Sequence, residues 1–487
     1  MPTINLNDAV LYEDIPLNRF YRTEKVVIFG DSITADNITG LNTTLTSRNH
    51  FGYFNVLDAL MGGRFDFTST DNLGIAGNTT TQMVTRLGAT ASGAGGRVLA
   101  SLDTVLASGA TLAFFLGGTN DINTGVTPPT PPNIAGIKAN IKTIIDRIIS
   151  NTTIRSANGS QVGCRVVVMP ILPRQTWSNA VSNAIAQANL LDINDHIKTY
   201  CATKPRDQVI FVENISKVFD AGYNPSGLYD PSIDYTLVTG TPTGVLANNN
   251  FLRDTTHPSQ IGALILGKEI QKLLQPIIGH ANSTGEIFNR LDRSKQKLFN
   301  HEFRREDGGA SSGTLTGITL TGTIPNSWVR AGSNDFATQG NHTVDFSRDP
   351  IDGKLIVDFQ SFNGATAGQQ VNISQIVTAV NGGYMMADNL QTFLDIEYLE
   401  CVNAQAVMIR NSETATVNEN YYGNFASAGA LPLLDKELKR GLWATPRYAA
   451  GAGVTQTQIL ITFLLDSSLG KTARIKAKLH GVHFIKY

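Results

Sequence analysis

The sequence predicts two domains of different classes, an α/β domain followed by an all-β domain. Residues 25 to about 280 alternate short apolar runs with segments of helical periodicity, which predicts a mainly parallel sheet between two helical layers, a three-layer α/β/α sandwich. After residue 307, short alternating segments separated by Gly, Asn, Asp and Ser predict an antiparallel β-sandwich. The length of 487 residues agrees, because single cores stop growing near ~250–300 residues.

The elements of the first domain follow from local patterns. The runs KVVIFG, TLAFFLGG, CRVVVMPI and QVIFVEN predict strands that are buried on both faces. Asn133 precedes a segment whose isoleucines share one helical face: Ile134, Ile137, Ile141, Ile145 and Ile148. The segments SNAIAQANLLDINDHIKTY and PSQIGALILGKEIQKLLQ predict two further helices, the second with Pro258 in its first turn.

The remaining segments complete the domain plan. Residues 1–24 are predicted to be an N-terminal arm, and residues 25–280 the α/β domain. The polar, charged residues 281–306 predict a helical linker. Residues 307–487 contain the alternating segments KLIVDFQSF, TFLDIEYLECV, QILITFLL and RIKAKLHGVHFI, which predict the strands of the β-sandwich.

Composition excludes several classes of partner. A formal net charge of −1 gives no field for nucleic acid, and no apolar run reaches the ~18 residues of a membrane span. The 3 cysteines have no spacing typical of a disulfide framework or a zinc site. The N-terminal stretch lacks the pattern of a secretory signal, so we expect a virion component or an extracellular protein exported without a signal peptide.

Polar residues follow the predicted strands where ligands of parallel sheets bind, beyond the carboxyl ends. The first strand runs into Gly30-Asp31-Ser32, and NLGIAGNTT occupies residues 72–80. TLAFFL runs into GGTND, which contains Asn120. RDTTHPS precedes the last predicted helix of the domain. We therefore expect these four segments to meet at one edge of the sheet.

The four segments supply the groups that acyl transfer requires. Ser32 would be the nucleophile, which needs an adjacent base, and His257 would take its proton. Asp254, three residues earlier, would accept a hydrogen bond from the other ring nitrogen. The backbone N–H groups of Ser32 and Gly77 and the Asn120 amide would stabilise the oxyanion. Gly77 is preferred to the earlier glycine of its segment because it immediately precedes the polar NTT.

Each segment alone also has a structural interpretation. Gly, Asp and Ser are turn formers, Asn120 could cap a loop, and Asp254 could cap the following helix. The combination of a nucleophile, two donors, an acid and a base favours the catalytic interpretation.

The blocks FGDSIT, NLGIAGNTT, GGTND and DTTH resemble, in order and spacing, those of the SGNH, or GDSL, hydrolase family. The resemblance covers residues 25–280 and implies an SGNH/flavodoxin-like fold without metal or cofactor. It implies Ser32, His257 and Asp254 as a catalytic triad, with Ser32, Gly77 and Asn120 as the oxyanion hole. The segment GTLTGITLTGTIPNSW and the strands after it resemble jelly-roll-like β-sandwich modules of carbohydrate-active and phage tail proteins.

Together these features predict a serine esterase that removes O-acetyl groups from a bacterial surface polysaccharide, as a phage tail or tailspike component. A tailspike would be a homotrimer. Two alternatives stay open: a general carboxylesterase or lipase acting on small or lipidic esters, and a non-enzymatic polysaccharide-binding adhesin. Four aromatic residues could stack on sugar rings, although core packing is the ordinary role of such residues in a β-sandwich: Trp328, Trp443, Tyr421 and Tyr422.

Overall fold

The structure is a computed structural model that describes part of the chain. The described residues are 24–39, 47–48, 52–61, 65–93, 97–122, 132–151, 154–155, 161–174, 177, 183–213, 215, 252, 254, 256–258, 260–278, 298, 303, 318–323, 327–332, 341–362, 369–402, 404–413, 417–423, 440–445, 448–465 and 472–486. The predicted N-terminal arm therefore lies outside the described residues, apart from residue 24. The predicted linker 281–306 also lies outside them, apart from Leu298 and Phe303.

The first domain alternates strands and helices as its sequence predicts. Its strands are β1 (Glu24–Gly30), β2 (Ile38–Thr39), β3 (Ser47–Arg48), β4 (Phe65–Asp66), β5 (Asn72–Gly74), β6 (Ala91–Ser92), β7 (Val98–Leu99), β8 (Leu112–Leu116), β9 (Ile154–Arg155), β10 (Gln161–Val162), β11 (Arg165–Val168) and β12 (Val209–Phe211). Its helices are α1 (Ser32–Ala35), α2 (Tyr53–Leu60), α3 (Thr80–Thr85), α4 (Leu102–Ala107), α5 (Thr119–Ile122), α6 (Ile134–Ile149), α7 (Asn183–Ala202) and α8 (Gln260–Ile278).

A parallel sheet organises this domain. Its described strands have the order β12-β11-β8-β1-β4, and β5 also pairs with β1. All these pairings are parallel. Separate apolar clusters cover the two faces of the sheet, one including α6 and α7 and the other including α2 and α8. The predicted α/β/α architecture is therefore confirmed.

Two helix boundaries depend on particular residues. The side chain of Asn133 accepts a hydrogen bond from Gly136 N (2.9 Å), so it caps α6 as the sequence predicts. The prediction for Pro258 is wrong. Helix α8 begins at Gln260, and Pro258 instead forms an antiparallel bridge with Leu252 that closes the preceding loop.

The second domain consists of two packed sheets, as predicted. Its strands are β13 (Ile318–Gly322), β14 (Val329–Gly332), β15 (Asn341–Arg348), β16 (Leu355–Phe362), β17 (Gln369–Thr378), β18 (Asn389–Val402), β19 (Ala404–Ser412), β20 (Val417–Gly423), β21 (Arg440–Ala444), β22 (Tyr448–Ala449), β23 (Gln456–Leu465) and β24 (Thr472–Lys486), with a short helix α9 (Ala379–Gly382). One sheet has the order β13-β15-β16-β24-β18-β21, with β22 beside β18, and the other begins β14-β17-β23-β19-β20. Most pairings are antiparallel, and β13–β15 is parallel.

The two domains share a core and a sheet. Val56 of α2 and Leu264 of α8 belong to the same apolar cluster as the inward-facing residues of the sandwich. Strand β3 of the first domain pairs in parallel with β20, and β2 pairs with β3, so both extend a sheet of the sandwich. The sandwich is therefore packed directly on the helical layer that contains α2 and α8.

The aromatic residues singled out in the sandwich fall into two groups. Trp328 and Trp443 are buried at 1% and 3% exposure, so their rings belong to the core and are not available to a sugar. Tyr421 and Tyr422 lie on β20, and their side chains lie outside the described part of the structure. Among the described helices, none has the length and apolar content that a membrane crossing requires.

Candidate active site

Ser32 lies where the central strand of the parallel sheet ends. Strand β1 is buried from Val26 to Gly30, and the side chain of Asp31 then caps α1 by accepting a hydrogen bond from Ile33 N (3.0 Å). A Cβ atom on Gly30 would lie 2.1 Å from the Leu116 carbonyl oxygen, so this turn requires glycine. Ser32 is the first residue of α1, and its backbone N–H has no carbonyl partner within the helix.

The closed loop before α8 brings a histidine to this serine. His257 Nε2 lies 2.8 Å from Ser32 Oγ, although 225 positions separate the two residues. His257 Nδ1 lies 2.8 Å from Asp254 Oδ2. Asp254 Oδ1 also accepts hydrogen bonds from the backbone N–H groups of Thr256 (2.7 Å) and His257 (2.8 Å). The structure thus brings together Ser32, His257 and Asp254 in the arrangement that a catalytic triad requires.

The contacts of the imidazole define its tautomer. A carboxylate only accepts, so the Nδ1 proton of His257 points to Asp254, and Nε2 is left to accept from the Ser32 hydroxyl. Burial alone would raise the pKa of Asp254. The backbone donors of His257 and Thr256 outweigh this effect and hold its pKa below the usual value. Asp254 is therefore ionised at neutral pH.

The two candidate oxyanion glycines differ in the availability of their N–H groups. Gly74 pairs with Gly30 in the sheet, and its N–H donates to Asn72 Oδ1 (2.9 Å). Gly77 has a positive φ of 77° and is exposed, and no acceptor for its N–H occurs among the described residues. Of the two, Gly77 is the one that can donate to a substrate oxygen.

Asn120 is linked to the same loop. It lies in α5, four residues beyond β8, which pairs with β1 on the side opposite to β5. Its Nδ2 donates to the carbonyl oxygen of Asn78, the residue after Gly77, at 3.1 Å. The parallel register of β5, β1 and β8 thus places the Gly77 loop, Ser32 and Asn120 at one edge of the sheet.

Three residues that the local sequence patterns do not single out hold these segments together: Asp121, Thr80 and Arg174. The carboxylate of Asp121 accepts from Thr80 N (3.1 and 2.9 Å) and Thr80 Oγ1 (2.7 Å), which ties α5 to α3. Arg174 Nη2 donates to Asn120 Oδ1 at 3.1 Å. The carboxyl end of β11 was a usable signal for Arg174, because this residue follows the buried strand after two prolines.

Asp31 is the most deeply buried charge beside the site. Its side chain has 0% exposure, and its Oδ2 has no hydrogen-bond partner among the described residues. Burial raises the pKa of Asp31 to about 7, against the effects of the Ile33 N–H and of the Arg174 and His257 charges.

The described residues contain no group of three or more His, Cys, Asp or Glu side chains arranged to hold a metal ion.

One comparison with known families gives a match that includes every candidate site residue. Residues 28–263 match the model of the GDSL-like lipase/acylhydrolase family. Ser32, Gly77, Asn120, Asp254 and His257 all lie within the matched residues. No protein with curated annotation matches the chain.

Solved structures resemble parts of the chain at low sequence identity. A GDSL-like lipase from Bacteroides thetaiotaomicron is 15% identical with a TM-score of 0.31, and the match covers 56% of this chain and 97% of that one. Axe2, an acetylxylan esterase from Geobacillus stearothermophilus, is 15% identical with a TM-score of 0.32, covering 54% and 97%. TmCBM61, solved with β-1,4-galactotriose, is 10% identical with a TM-score of 0.24, and the match covers 40% of this chain and 99% of that one.

Proposed function

From the GDSL-like lipase/acylhydrolase domain that residues 28–263 form, we propose that this protein is a serine esterase that removes O-acetyl groups from a bacterial surface polysaccharide. Ester hydrolysis is the activity of an acylhydrolase domain, while the acetyl group and the polysaccharide are the specific part of the proposal. The observation that carries it is the 2.8 Å contact between Ser32 Oγ and His257 Nε2, with Asp254 on the other ring nitrogen.

The proposed reaction has two acyl-transfer steps. Ser32 Oγ attacks the ester carbonyl carbon while His257 Nε2 takes the hydroxyl proton. The N–H groups of Ser32 and Gly77 and the Asn120 amide hold the negative oxygen of the tetrahedral intermediate. The imidazolium then protonates the leaving sugar oxygen, and an acyl-serine forms. Water activated by His257 attacks the acyl-serine, which releases the carboxylic acid and restores Ser32.

A small acyl group is supported by the polar surroundings of Ser32. The neighbouring segments present Asn78, Asn120 and the half-exposed Asp254. In the described residues of the segments that carry the site, no large hydrophobic side chain is exposed; such side chains occur elsewhere, for example Val98 and Ile351. A long acyl chain requires an apolar surface to leave water, so these segments favour acetyl over a fatty acyl group.

A polysaccharide substrate is supported by the position of the sandwich. Strand β2 begins at Ile38, three residues after α1 ends, and the β2–β3 pair extends the sandwich sheet through β20. One sheet of the sandwich therefore starts beside the segment that carries the nucleophile. A polymer bound along this sheet would stay close to Ser32, whereas a small soluble ester would gain nothing from it.

Acetate release tests both parts of the proposal. The protein is incubated with acetylated capsular or lipopolysaccharide glycans, and acetate is measured alongside hydrolysis of 4-nitrophenyl esters of increasing acyl length. We expect acetate release and a preference for the acetyl ester, both lost in Ser32→Ala and retained in Ser150→Ala, an exposed serine at the end of α6. A preference for long acyl chains would favour a lipase, and inactivity on every ester would favour an adhesin.

We also propose a location in a phage tail, with homotrimeric assembly. The low charged fraction of 16% and the all-β second domain support it. Light scattering of the purified protein should give three times the chain mass, and a monomer would contradict the assembly.

A further inference from the structure

Arg174 is a buried cation that contacts the candidate oxyanion hole. It follows β11 and is 5% exposed. Its Nε donates to Thr119 Oγ1 at 2.7 Å, and its Nη2 donates to Asn120 Oδ1 at 3.1 Å. The guanidinium also lies over the Trp177 ring, 5.1 Å from its centre. Two neighbouring side chains of α5 are thus held by one planar group.

These contacts permit only one orientation of the Asn120 amide. Its oxygen faces a guanidinium, which can only donate, and its nitrogen faces the Asn78 carbonyl oxygen, which can only accept (3.1 Å). A rotation of the amide by 180° would place its nitrogen against the guanidinium, so that donor faces donor. It would also place its oxygen against the Asn78 carbonyl oxygen, so that acceptor faces acceptor. One of the two Nδ2 hydrogens is used by Asn78, and the other remains for a substrate oxygen.

We propose that Arg174 is a positioning residue of the oxyanion hole, which acts through Asn120 to fix and polarise its amide donor. The inference rests on the proposed esterase function. A hydrogen bond from a cation to Oδ1 draws electron density from the amide and strengthens the N–H donor on its other side. The guanidinium also prevents the amide from turning when substrate binds, so the donor needs no reorganisation during the reaction.

The charge of Arg174 persists under assay conditions. Burial lowers the pKa of Arg174 to about 10, and the nearby carboxyl groups of Asp31 and Asp254 oppose this effect. The guanidinium is therefore protonated at neutral pH. Its positive charge also lies on the side of the site where negative charge develops in the transition state.

A double-mutant cycle separates this role from a purely structural one. Arg174→Gln, Asn120→Ala and the combined variant are compared on 4-nitrophenyl acetate. We expect Arg174→Gln to lower kcat about tenfold or more with KM changed less than about threefold, because a transition-state interaction is lost. In the Asn120→Ala background the same change should lower kcat by less than about twofold. Equal losses in both backgrounds, or an unchanged kcat in the single variant, would overturn the proposal.

Control variants distinguish a loss of folding from a loss of catalytic function. Arg440 makes a two-pronged ion pair with Asp395 (2.8 and 2.6 Å) in the sandwich, so Arg440→Gln removes a comparable contact and should leave kcat unchanged. Arg174→Lys keeps the charge without the two-pronged geometry and serves if Arg174→Gln does not fold. The folded fraction is counted by phosphonate titration of Ser32.

The same double-mutant cycle is also measured through the rate at which a fluorophosphonate modifies Ser32. This rate depends on the oxyanion hole because the phosphonyl oxygen occupies it. If wild-type protein does not hydrolyse the acetate ester, the proposed function fails, while the modification rates still test Arg174. If the modification rates show no coupling between Arg174 and Asn120, the inference about Arg174 is overturned, while the proposed esterase function is not.

Discussion

Replacement of Asp31 by asparagine should stabilise the protein at pH 8 and much less at pH 4. Asp31 is fully buried, and its carboxylate accepts one backbone hydrogen bond, from Ile33 N at 3.0 Å. Asparagine has the same shape and keeps this acceptor, while it removes the cost of burying a charge. The asparagine NH2 group contributes equally at every pH, so the pH dependence of the difference from wild type isolates the electrostatic effect of one carboxyl group.

The magnitude follows from the change of pKa on folding. Burial raises the pKa of Asp31 from 3.8 to about 7 in the folded protein. An acid with a raised folded pKa contributes stability that is fully present below pH 3.8 and is lost as the pH rises to about 7. The difference of about three pKa units corresponds to about 4 kcal/mol. The benefit of Asp31→Asn should thus grow between about pH 4 and pH 7 and remain constant above it.

The assay is urea unfolding of wild type and variant at several pH values from 4 to 8. Asp395→Asn provides a control of opposite sign, because Asp395 is also buried but is paired with Arg440 through two hydrogen bonds (2.8 and 2.6 Å). That variant should lose stability at neutral pH. If Asp31→Asn destabilises the protein at pH 8, or shifts its stability equally at all pH values, the raised pKa is refuted.

Three further predictions concern the site and the domain contact. Asp254→Asn should lower kcat about 10³–10⁴-fold with little change in melting temperature, because the His257 ring loses the acceptor that fixes its tautomer. A loss of kcat below about tenfold on an aryl acetate would contradict the role of Asp254 in the triad. Gly77→Ala should lower kcat, because a side chain at positive φ strains the loop and displaces its N–H group from the substrate oxygen. Gly109→Ala should leave kcat unchanged, although both glycines have positive φ (77° and 96°) and open space at the Cβ position. Equal kcat values in the two variants would show that activity does not depend on the backbone conformation of Gly77. Leu264→Ala should lower the free energy of unfolding by about 2–4 kcal/mol, since Leu264 lies in the core that the two domains share. Calorimetry should show one melting transition for both domains, at a lower temperature than in wild type. Two transitions, one of them unchanged by the substitution, would show that the domains unfold independently.

Local patterns predict the main elements of the fold because those elements depend on local periodicity. The run KVVIFG and the isoleucine face of α6 are examples. A strand buried on both faces appears as a continuous apolar run, and a helix buried on one face appears as apolar residues repeated every three or four positions. The prediction for Pro258 is wrong because a proline is compatible both with a helix start and with a chain reversal, and the bridge between Pro258 and Leu252 is a contact that no local pattern specifies.

Contacts between distant segments could not be predicted in this way. The pairing of β3 with β20 joins residues about 370 positions apart, and no local pattern in either strand specifies its partner. The same holds for Arg174, whose contacts with Thr119 and Asn120 depend on how the segment after β11 crosses the sheet edge. The segments that carry Ser32, Gly77, Asn120, Asp254 and His257 could be predicted to meet because parallel strands place their carboxyl ends at one edge.

Mass spectrometry of the protein after treatment with a fluorophosphonate tests most directly whether Ser32 is an activated nucleophile. We expect a single adduct on the peptide that contains Ser32 and no adduct in Ser32→Ala. The labelling rate should be sharply lower in His257→Ala, because the 2.8 Å contact between the two side chains activates the hydroxyl. Labelling at another residue, or equal labelling of wild type and Ser32→Ala, would contradict it.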